Sequence, residues 1–187
     1  MKFYKNMLWM LLIALTCSSC GNVSGSTTLL ETVMVTSMAK LDSLETDILK
    51  GNTCTGTVSS GGTYITDTIP VDIISKSYDN ATRKSLVTIN SIKISYSKYN
   101  TSTSIPLLPD QFDSGVTVLP DTTVTLNVKV APDSLKLYLV NTLNFNLCTV
   151  DYWEYYATIT FDAVESYSNR KADIKPVIVK VAFADRV

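Results

Sequence analysis

The side chains that could perform chemistry in this chain are limited, because the 187-residue sequence contains no histidine. Histidine is the usual general base near neutral pH and a common neutral metal ligand. Its absence excludes Ser-His and Cys-His nucleophile pairs, and every histidine-dependent zinc site, within this chain.

Two groups of acidic residues stand close together in the sequence. Asp162 and Glu165 could act as the carboxylate pair of a glycoside hydrolase, but nothing in the sequence places them across a cleft. Asp42, Glu45 and Asp47 could supply oxygen ligands to calcium, but no glycine-bearing loop with the required spacing accompanies them. We therefore predict no catalytic residue, no metal site and no cofactor, and we expect the second group to lie on a solvated polar face.

The segment 152–156, Tyr-Trp-Glu-Tyr-Tyr, is the strongest candidate for a binding surface. Exposed aromatic rings can stack on the apolar faces of sugars, and Tyr152, Tyr155 and Tyr156 could form such a platform. Aromatic residues are also favoured within strands, where about half of them face the core. The sequence therefore favours a structural role for this segment, with a carbohydrate-binding platform as the alternative.

The N-terminal segment has the pattern of an export signal. Lys2 and Lys5 precede the apolar run 7–15, and small residues then lead to Cys20 and Gly21. The run is too short to cross a bilayer as a helix, which needs about 20 residues. It does match the apolar core of a secretory signal.

This segment resembles the signals of bacterial lipoproteins, in which small residues precede a cysteine that is cleaved and acylated. Ser18 and Ser19 precede Cys20 as in that pattern, whereas Cys17 occupies the position where leucine is usual. The resemblance implies removal of residues 1–19 and a lipid on Cys20, with Cys17 as the alternative anchor. An ordinary secretory signal and an uncleaved anchor are the other interpretations.

The same resemblance implies a location for the protein. Gly21 follows the proposed lipidated cysteine, as in lipoproteins of the outer-membrane class, which lack aspartate at that position. We therefore expect a bacterial cell-envelope protein, anchored by lipid in the outer membrane and facing the periplasm or the exterior. The small polar residues 20–28 predict a flexible tether, and residues 29–187 are expected to form a single β-sandwich domain.

The lipoprotein resemblance leaves two cysteines for the folded domain. Cys17 would leave with the signal and Cys20 would be acylated, so Cys54 and Cys148 remain. Exported proteins reach an oxidising compartment, which favours a disulfide between these two, with two separate buried thiols as the alternative. A bridge closing so long a loop would stabilise the fold by about 4–5 kcal/mol in the chain-entropy model. Cys54 is expected in a loop over residues 51–56.

The composition limits the classes of partner. The chain has 16 basic and 17 acidic residues, for a formal net charge of −1. This balance offers no basic excess to neutralise phosphates, which argues against a nucleic-acid partner. No second long apolar run follows the signal, so the lipid would be the sole membrane contact. The remaining sequence is rich in threonine, serine, valine and tyrosine, which is typical of strands.

The elements that would position these residues are predicted mainly as strands. The alternation of apolar residues changes phase at Asn90 and Ser91, which predicts either a bulge or a strand that bends between sheets. The apolar spacing from Leu135 to Leu143, after Pro132, favours one short helix. Period-two patterns predict strands over 29–37, 64–78, 87–96, 116–118, 123–130, 152–165 and 175–183.

Two polar stretches separate these elements. Residues 38–50 leave two interpretations open, namely one or two helical turns or a polar excursion between strands. Residues 97–110 contain Pro106 and Pro109 and predict a loop. About seven strands separated by turn signals predict an all-β fold, specifically an antiparallel, immunoglobulin-like β-sandwich with one short helix.

These patterns together predict a lipid-anchored envelope protein with a non-catalytic role, either structural or in binding another envelope protein. A carbohydrate-binding module that uses exposed tyrosines is the alternative. The expected contacts are therefore the membrane, through the lipid, and another protein or a glycan. A hydrolase is the weakest hypothesis, since it would need two carboxylates within about 10 Å in a cleft.

Overall fold

The computed structural model describes residues 33–79, 83–100, 104–149 and 152–186. The predicted signal, Cys17, Cys20 and the predicted tether lie outside these described residues. In chain order the elements are β1 (Val33–Ala39), β2 (Ser43–Asp47), β3 (Lys50–Thr55), β4 (Val58–Thr63), β5 (Asp67–Ser77), β6 (Val87–Lys98), β7 (Gln111–Ser114), β8 (Thr117–Val118), β9 (Thr123–Ala131), α1 (Asp133–Asn141), β10 (Tyr152–Glu165) and β11 (Val177–Ala184).

The strands form two main sheets, so the predicted all-β class is confirmed. The larger sheet has the order β2-β11-β10-β6-β7, with β8 also paired to β6, and the smaller has the order β1-β5-β9. Strands β3 and β4 form a separate hairpin. The named strands pair in antiparallel fashion except β2, which runs parallel to β11 and is the one departure from the predicted antiparallel arrangement.

The core lies between the two sheets and follows the period-two patterns of the sequence. On β10, Ala157, Ile159, Phe161 and Ala163 are buried, whereas the residues that alternate with them face outward. Ile69 and Ile73 of β5 belong to the same buried cluster from the opposite sheet. Each fully buried branched side chain contributes about 1.5–3 kcal/mol relative to exposure, which makes this layer the main source of sheet-to-sheet stability.

The predicted phase change at Asn90 and Ser91 is confirmed as a β-bulge in β6. Ser91 pairs with Asp162 and Ile89 pairs with Ala163, so Asn90 is an extra residue on β6. The extra residue restores the inward direction of the apolar side chains on both sides of the bulge. Gly115 passes directly over this point, where an added Cβ would overlap the backbone carbonyl of Ile89.

Two segments differ in detail from the sequence prediction. The stretch 38–50, for which helical turns or a polar excursion between strands were predicted, contains strand β2 and no helical turn. Cys54 lies on β3, within a hairpin, and not in a loop. These segments escaped prediction because glycine, serine and threonine carry no apolar alternation. The short helix is confirmed as α1, which buries Leu135 and Leu139. No helix among the described residues is long and apolar enough to span a membrane.

Candidate functional site

The alternation of β10 separates the three tyrosines that the sequence singled out. Tyr155 faces the core and is fully buried, with its ring packed edge-on against those of Tyr96 and Phe183. Its hydroxyl donates a hydrogen bond to the carbonyl oxygen of Pro106 at 3.0 Å, and burial raises the pKa of this phenol. Tyr155 therefore does not belong to an exposed platform, because its position on the strand directs it inward.

Tyr152 and Tyr156 lie on the opposite, solvent-facing side of β10, and a third tyrosine joins them. The exposed fractions of Tyr152, Tyr156 and Tyr99 are 46%, 39% and 42%. The rings of Tyr99 and Tyr156 have centroids 5.0 Å apart and are tilted by 48°. With Glu154 and Lys180, these three residues form one surface on the outside of the larger sheet, which we call the tyrosine face.

Strand pairing explains how the tyrosine face is assembled. The backbone N–H of Tyr99 donates to the carbonyl oxygen of Glu154 at 3.0 Å, which carries the β6–β10 ladder one residue beyond the end of β6. On the other side of β10, Tyr156 is directly opposite Lys180 of β11. Side chains from three neighbouring strands therefore meet on one face.

The charged groups on this face are paired with one another. Lys180 forms an ion pair with Glu154, and its ammonium nitrogen lies 4.1 Å from the centroid of the Tyr99 ring. The hydrogen bond that Lys180 donates to the Glu154 carboxylate raises the pKa of Lys180 above its usual value. Nearby, the hydroxyl of Tyr152 donates to Glu45 at 3.4 Å, and Glu45 forms an ion pair with Arg186. These contacts hold the long side chains in place beside the rings.

The predicted disulfide is confirmed: Cys54 and Cys148 are joined, with their Cα atoms 5.5 Å apart. The bond connects hairpin β3–β4 to the segment that leads into β10. Asp185 lies against the bridge, where its carboxylate accepts hydrogen bonds from the Cys148 backbone N–H at 2.6 Å and from the Asn52 amide at 3.1 Å. The ligand atoms of Cys54, Cys148 and Asp185 lie within 4.8 Å of one another, but the disulfide withholds the thiolates that a metal would need.

The other acidic candidates do not converge on a common site. Asp162 is exposed and accepts a hydrogen bond from Asn90 at 3.3 Å, whereas Glu165 is buried beside Ser168. The two are an odd number of positions apart on β10, so they lie on opposite faces and form no catalytic pair. Asp47 uses its carboxylate to accept the backbone N–H of Arg186.

Among the described residues, several depressions lie away from the tyrosine face, including the following two. One has a volume of about 280 Å³ and lies between β1 and the segment around Lys171 and Lys175. The other has a volume of about 410 Å³, lies beside the hairpin and is lined, among the described residues, by uncharged side chains, namely those of Thr57, Ser59, Val140, Phe145, Asn146, Leu147 and Thr149. Neither depression brings together the aromatic and charged groups that meet on the tyrosine face.

Sequence analysis missed three members of the tyrosine face. Tyr99 fell in a stretch that was predicted as a loop, and Glu154 and Lys180 carried no recognisable motif. Alternation along β10 places Glu154 on the same side as Tyr152 and Tyr156, so the position of Glu154 could have been predicted from the sequence. The contribution of Tyr99 and Lys180 depends on which strands flank β10, which only the fold reveals.

The comparisons with known proteins identify no family for this chain. The sequence matches no protein-family model and no curated protein.

Proposed function

We propose that this protein is a non-catalytic, lipid-anchored component of a bacterial cell envelope and that its tyrosine face binds another envelope component. The observation that carries the proposal is the grouping of Tyr99, Tyr152 and Tyr156, all more than one-third exposed, on the outside of one sheet. Clustered aromatic rings on a surface mark interaction sites more often than isolated ones do. The partner expected from the sequence is another envelope protein, with a glycan as the alternative.

The ordered side chains of the face also support a binding role. The ion pair of Lys180 with Glu154 and the contact of Lys180 with Tyr99 restrict three long side chains before any ligand arrives. Restricting side chains in advance lowers the entropy cost of association. A surface built in this way is suited to binding.

Lipid attachment supports the same role. The export segment resembles lipoprotein signals, and acylation of Cys20 would keep the domain next to the membrane. A tether of small residues would then hold the tyrosine face at a high local concentration relative to other envelope components. This arrangement favours an accessory or binding protein.

The anchoring part of the proposal is tested in a bacterium that processes lipoproteins. Full-length protein is expected to incorporate radiolabelled palmitate and to accumulate as a larger precursor when globomycin is added. Cys20→Ser should abolish labelling, whereas Cys17→Ser should preserve it. Labelling that survives Cys20→Ser and disappears with Cys17→Ser would move the anchor, and the absence of any labelling would end this part of the proposal.

The binding part is tested by photocrosslinking in intact envelopes. A photoreactive phenylalanine analogue is placed at Tyr156 and, as a matched control, at Tyr167, which is 44% exposed and contacts Arg83 away from the tyrosine face. We expect specific adducts, to protein or to glycan, from position 156 and not from position 167. Identical adduct patterns at the two positions would refute the assignment of the binding surface.

A further inference from the structure

We infer that the ligand of the tyrosine face is an uncharged carbohydrate. This inference rests on the proposed function and names the ligand class of the same surface.

The positive charges on this side of the sheet are balanced by neighbouring carboxylates. Three cations border this side of the sheet, and each is paired with a carboxylate: Lys180 with Glu154, Arg186 with Glu45, and Lys93 with Asp110. The Lys93 ammonium and the Ser95 hydroxyl hold the pKa of Asp110 below its ordinary value, so that carboxylate stays ionised near neutral pH. An anionic ligand would therefore have to compete with three existing carboxylates for these cations.

Hydroxyl-bearing residues lie beside the tyrosines on the same face of the sheet. Ser97 is directly opposite Tyr156 on β6, and Ser43 is directly opposite Lys180 on β2. Thr158 and Ser95 form the next cross-strand pair on the same face. Sugars offer apolar ring faces together with dense donors and acceptors, and a surface of alternating aromatic rings and hydroxyls complements both.

The ion pair between Lys180 and Glu154 lies at the centre of the tyrosine face. Glu154 lies between Tyr152 and Tyr156 on β10, so its pair with Lys180 is central to the face rather than at its edge. The cores of protein interfaces are depleted of charged residues, and desolvating an ion pair is costly. A sugar can instead hydrogen-bond to both members of the pair while leaving them partly hydrated.

The face is also long enough for several sugar units. Together with Glu45 of β2, which accepts a hydrogen bond from Tyr152, it extends from Tyr99 beside β6 across β10 and β11. Three strand spacings correspond to about 14 Å. We therefore expect a polysaccharide or oligosaccharide to bind better than a single sugar.

The inference is tested with the full-length acylated protein in a zwitterionic detergent, because glycosidic detergents would present sugars themselves. The probes are uncharged polysaccharides, namely xylan, mannan and β-glucan, and two anionic ones, polygalacturonate and hyaluronate. We expect binding to at least one uncharged polysaccharide, with an affinity that is unchanged between low and high salt. Tyr156→Ala should weaken this binding about tenfold, whereas Tyr156→Phe should retain most of it.

Controls keep the possible outcomes distinct. Tyr167→Ala should bind like the wild type, and equal melting temperatures would exclude a folding defect in the variants. Salt-sensitive binding of only the anionic probes, or binding that survives both Tyr99→Ala and Tyr156→Ala, would overturn the inference. Failure of every glycan to bind, together with protein crosslinks from position 156, would overturn the carbohydrate ligand but leave the proposed function standing. Failure of both experiments would refute both proposals.

Discussion

Lys136 illustrates how a single residue can connect distant parts of this fold. Its side chain is 1% exposed, although lysine is rarely buried. The ammonium group donates to the Asp67 carboxylate at 2.7 Å and to the backbone carbonyl of Asp47 at 2.6 Å. Thr46 donates a further hydrogen bond to the same carboxylate oxygen of Asp67. Helix α1 is therefore tied to β5 and to β2 through one charged group.

We predict that Lys136→Met lowers the free energy of unfolding by about 2–3 kcal/mol. The variant leaves Asp67 without its cation and the Asp47 carbonyl without its donor. The cost lies below that of a fully buried pair, because the Asp67 side chain is 35% exposed and water can hydrate it. Urea unfolding of the two proteins gives the difference directly.

The matched control for this variant is Lys76→Met. Lys76 is exposed on the outer side of β5, so we expect a change within about 0.5 kcal/mol. A Lys136→Met protein as stable as the wild type would show that apolar packing replaces the ion pair without loss, and the predicted role of Lys136 would then be wrong.

The burial of Lys136 could not be predicted from the sequence. Its partners Asp67 and Asp47 lie 69 and 89 positions away, and no local pattern indicates that they meet. Tyr155 shows the opposite case. Its inward direction follows from the alternation of side chains along β10, a strand that was correctly predicted. The sequence alone therefore indicates that Tyr155 cannot share an exposed surface with Tyr152 and Tyr156.

Hairpin β3–β4 is the element with the least apolar support. Its residues are mostly exposed, and its buried member, Asn52, is polar. Four glycines of the hairpin and its turn have positive φ, a conformation that favours glycine. These positions therefore offer no side chain that could pack against the sandwich. The disulfide from Cys54 to Cys148 is therefore the principal attachment of this element to the segment before β10.

We predict that Cys54→Ser combined with Cys148→Ser loosens the hairpin before it affects the sandwich. Hydrogen exchange should show a loss of amide protection in β3 and β4 and retained protection in β10, whose core residues are untouched. The free energy of unfolding should fall by about 2–5 kcal/mol. Wild-type protein treated with a dithiol is the control and should show the same pattern. Full protection of the hairpin amides in the double variant would contradict the prediction.

At the level of elements, prediction succeeded where apolar residues alternate and failed where they do not. The alternation of Val124, Leu126, Val128 and Val130 located β9, and the phase change at Asn90 located the bulge. The hairpin was missed because its strands are held by a covalent bond and by backbone pairing. Tyr99 was missed because the ladder continues one residue past the patterned part of β6.

At the scale of the whole molecule, ion pairs connect segments that are far apart in the sequence. Lys40 pairs with Asp72 at 3.1 Å, and Lys84 pairs with Asp121 at 2.6 Å. A hydrogen bond from the Thr125 hydroxyl, and then the Lys40 contact, lower the pKa of Asp72. The Lys84 contact, and then the backbone N–H of Ser77, lower the pKa of Asp121. Both carboxylates are therefore more acidic in the folded protein than in the unfolded chain.

The lowered pKa values of Asp72 and Asp121 determine how the free energy of unfolding changes with pH. A folded-state pKa below the ordinary value of 3.8 means that the stabilisation is complete above that value and is lost as the pH falls through the folded-state pKa. The chain contains no histidine, so no side chain with an ordinary pKa titrates between about pH 5 and pH 8. We therefore predict a free energy of unfolding that is nearly constant from about pH 5.5 to pH 8 and falls below about pH 4.

Urea unfolding at a series of pH values tests this profile. The variant Asp121→Asn isolates the contribution of the Asp121 carboxylate to the pH dependence of the free energy of unfolding. The variant should be less stable than the wild type at neutral pH, because Lys84 and the Ser77 N–H lose a charged acceptor. The difference should narrow as the pH falls, because the wild-type carboxylate becomes protonated and resembles the amide. A parallel pair of curves down to about pH 2 would show that Asp121 does not titrate in the predicted direction. A transition near pH 6 would contradict the prediction for the whole chain, since no histidine is present to produce it.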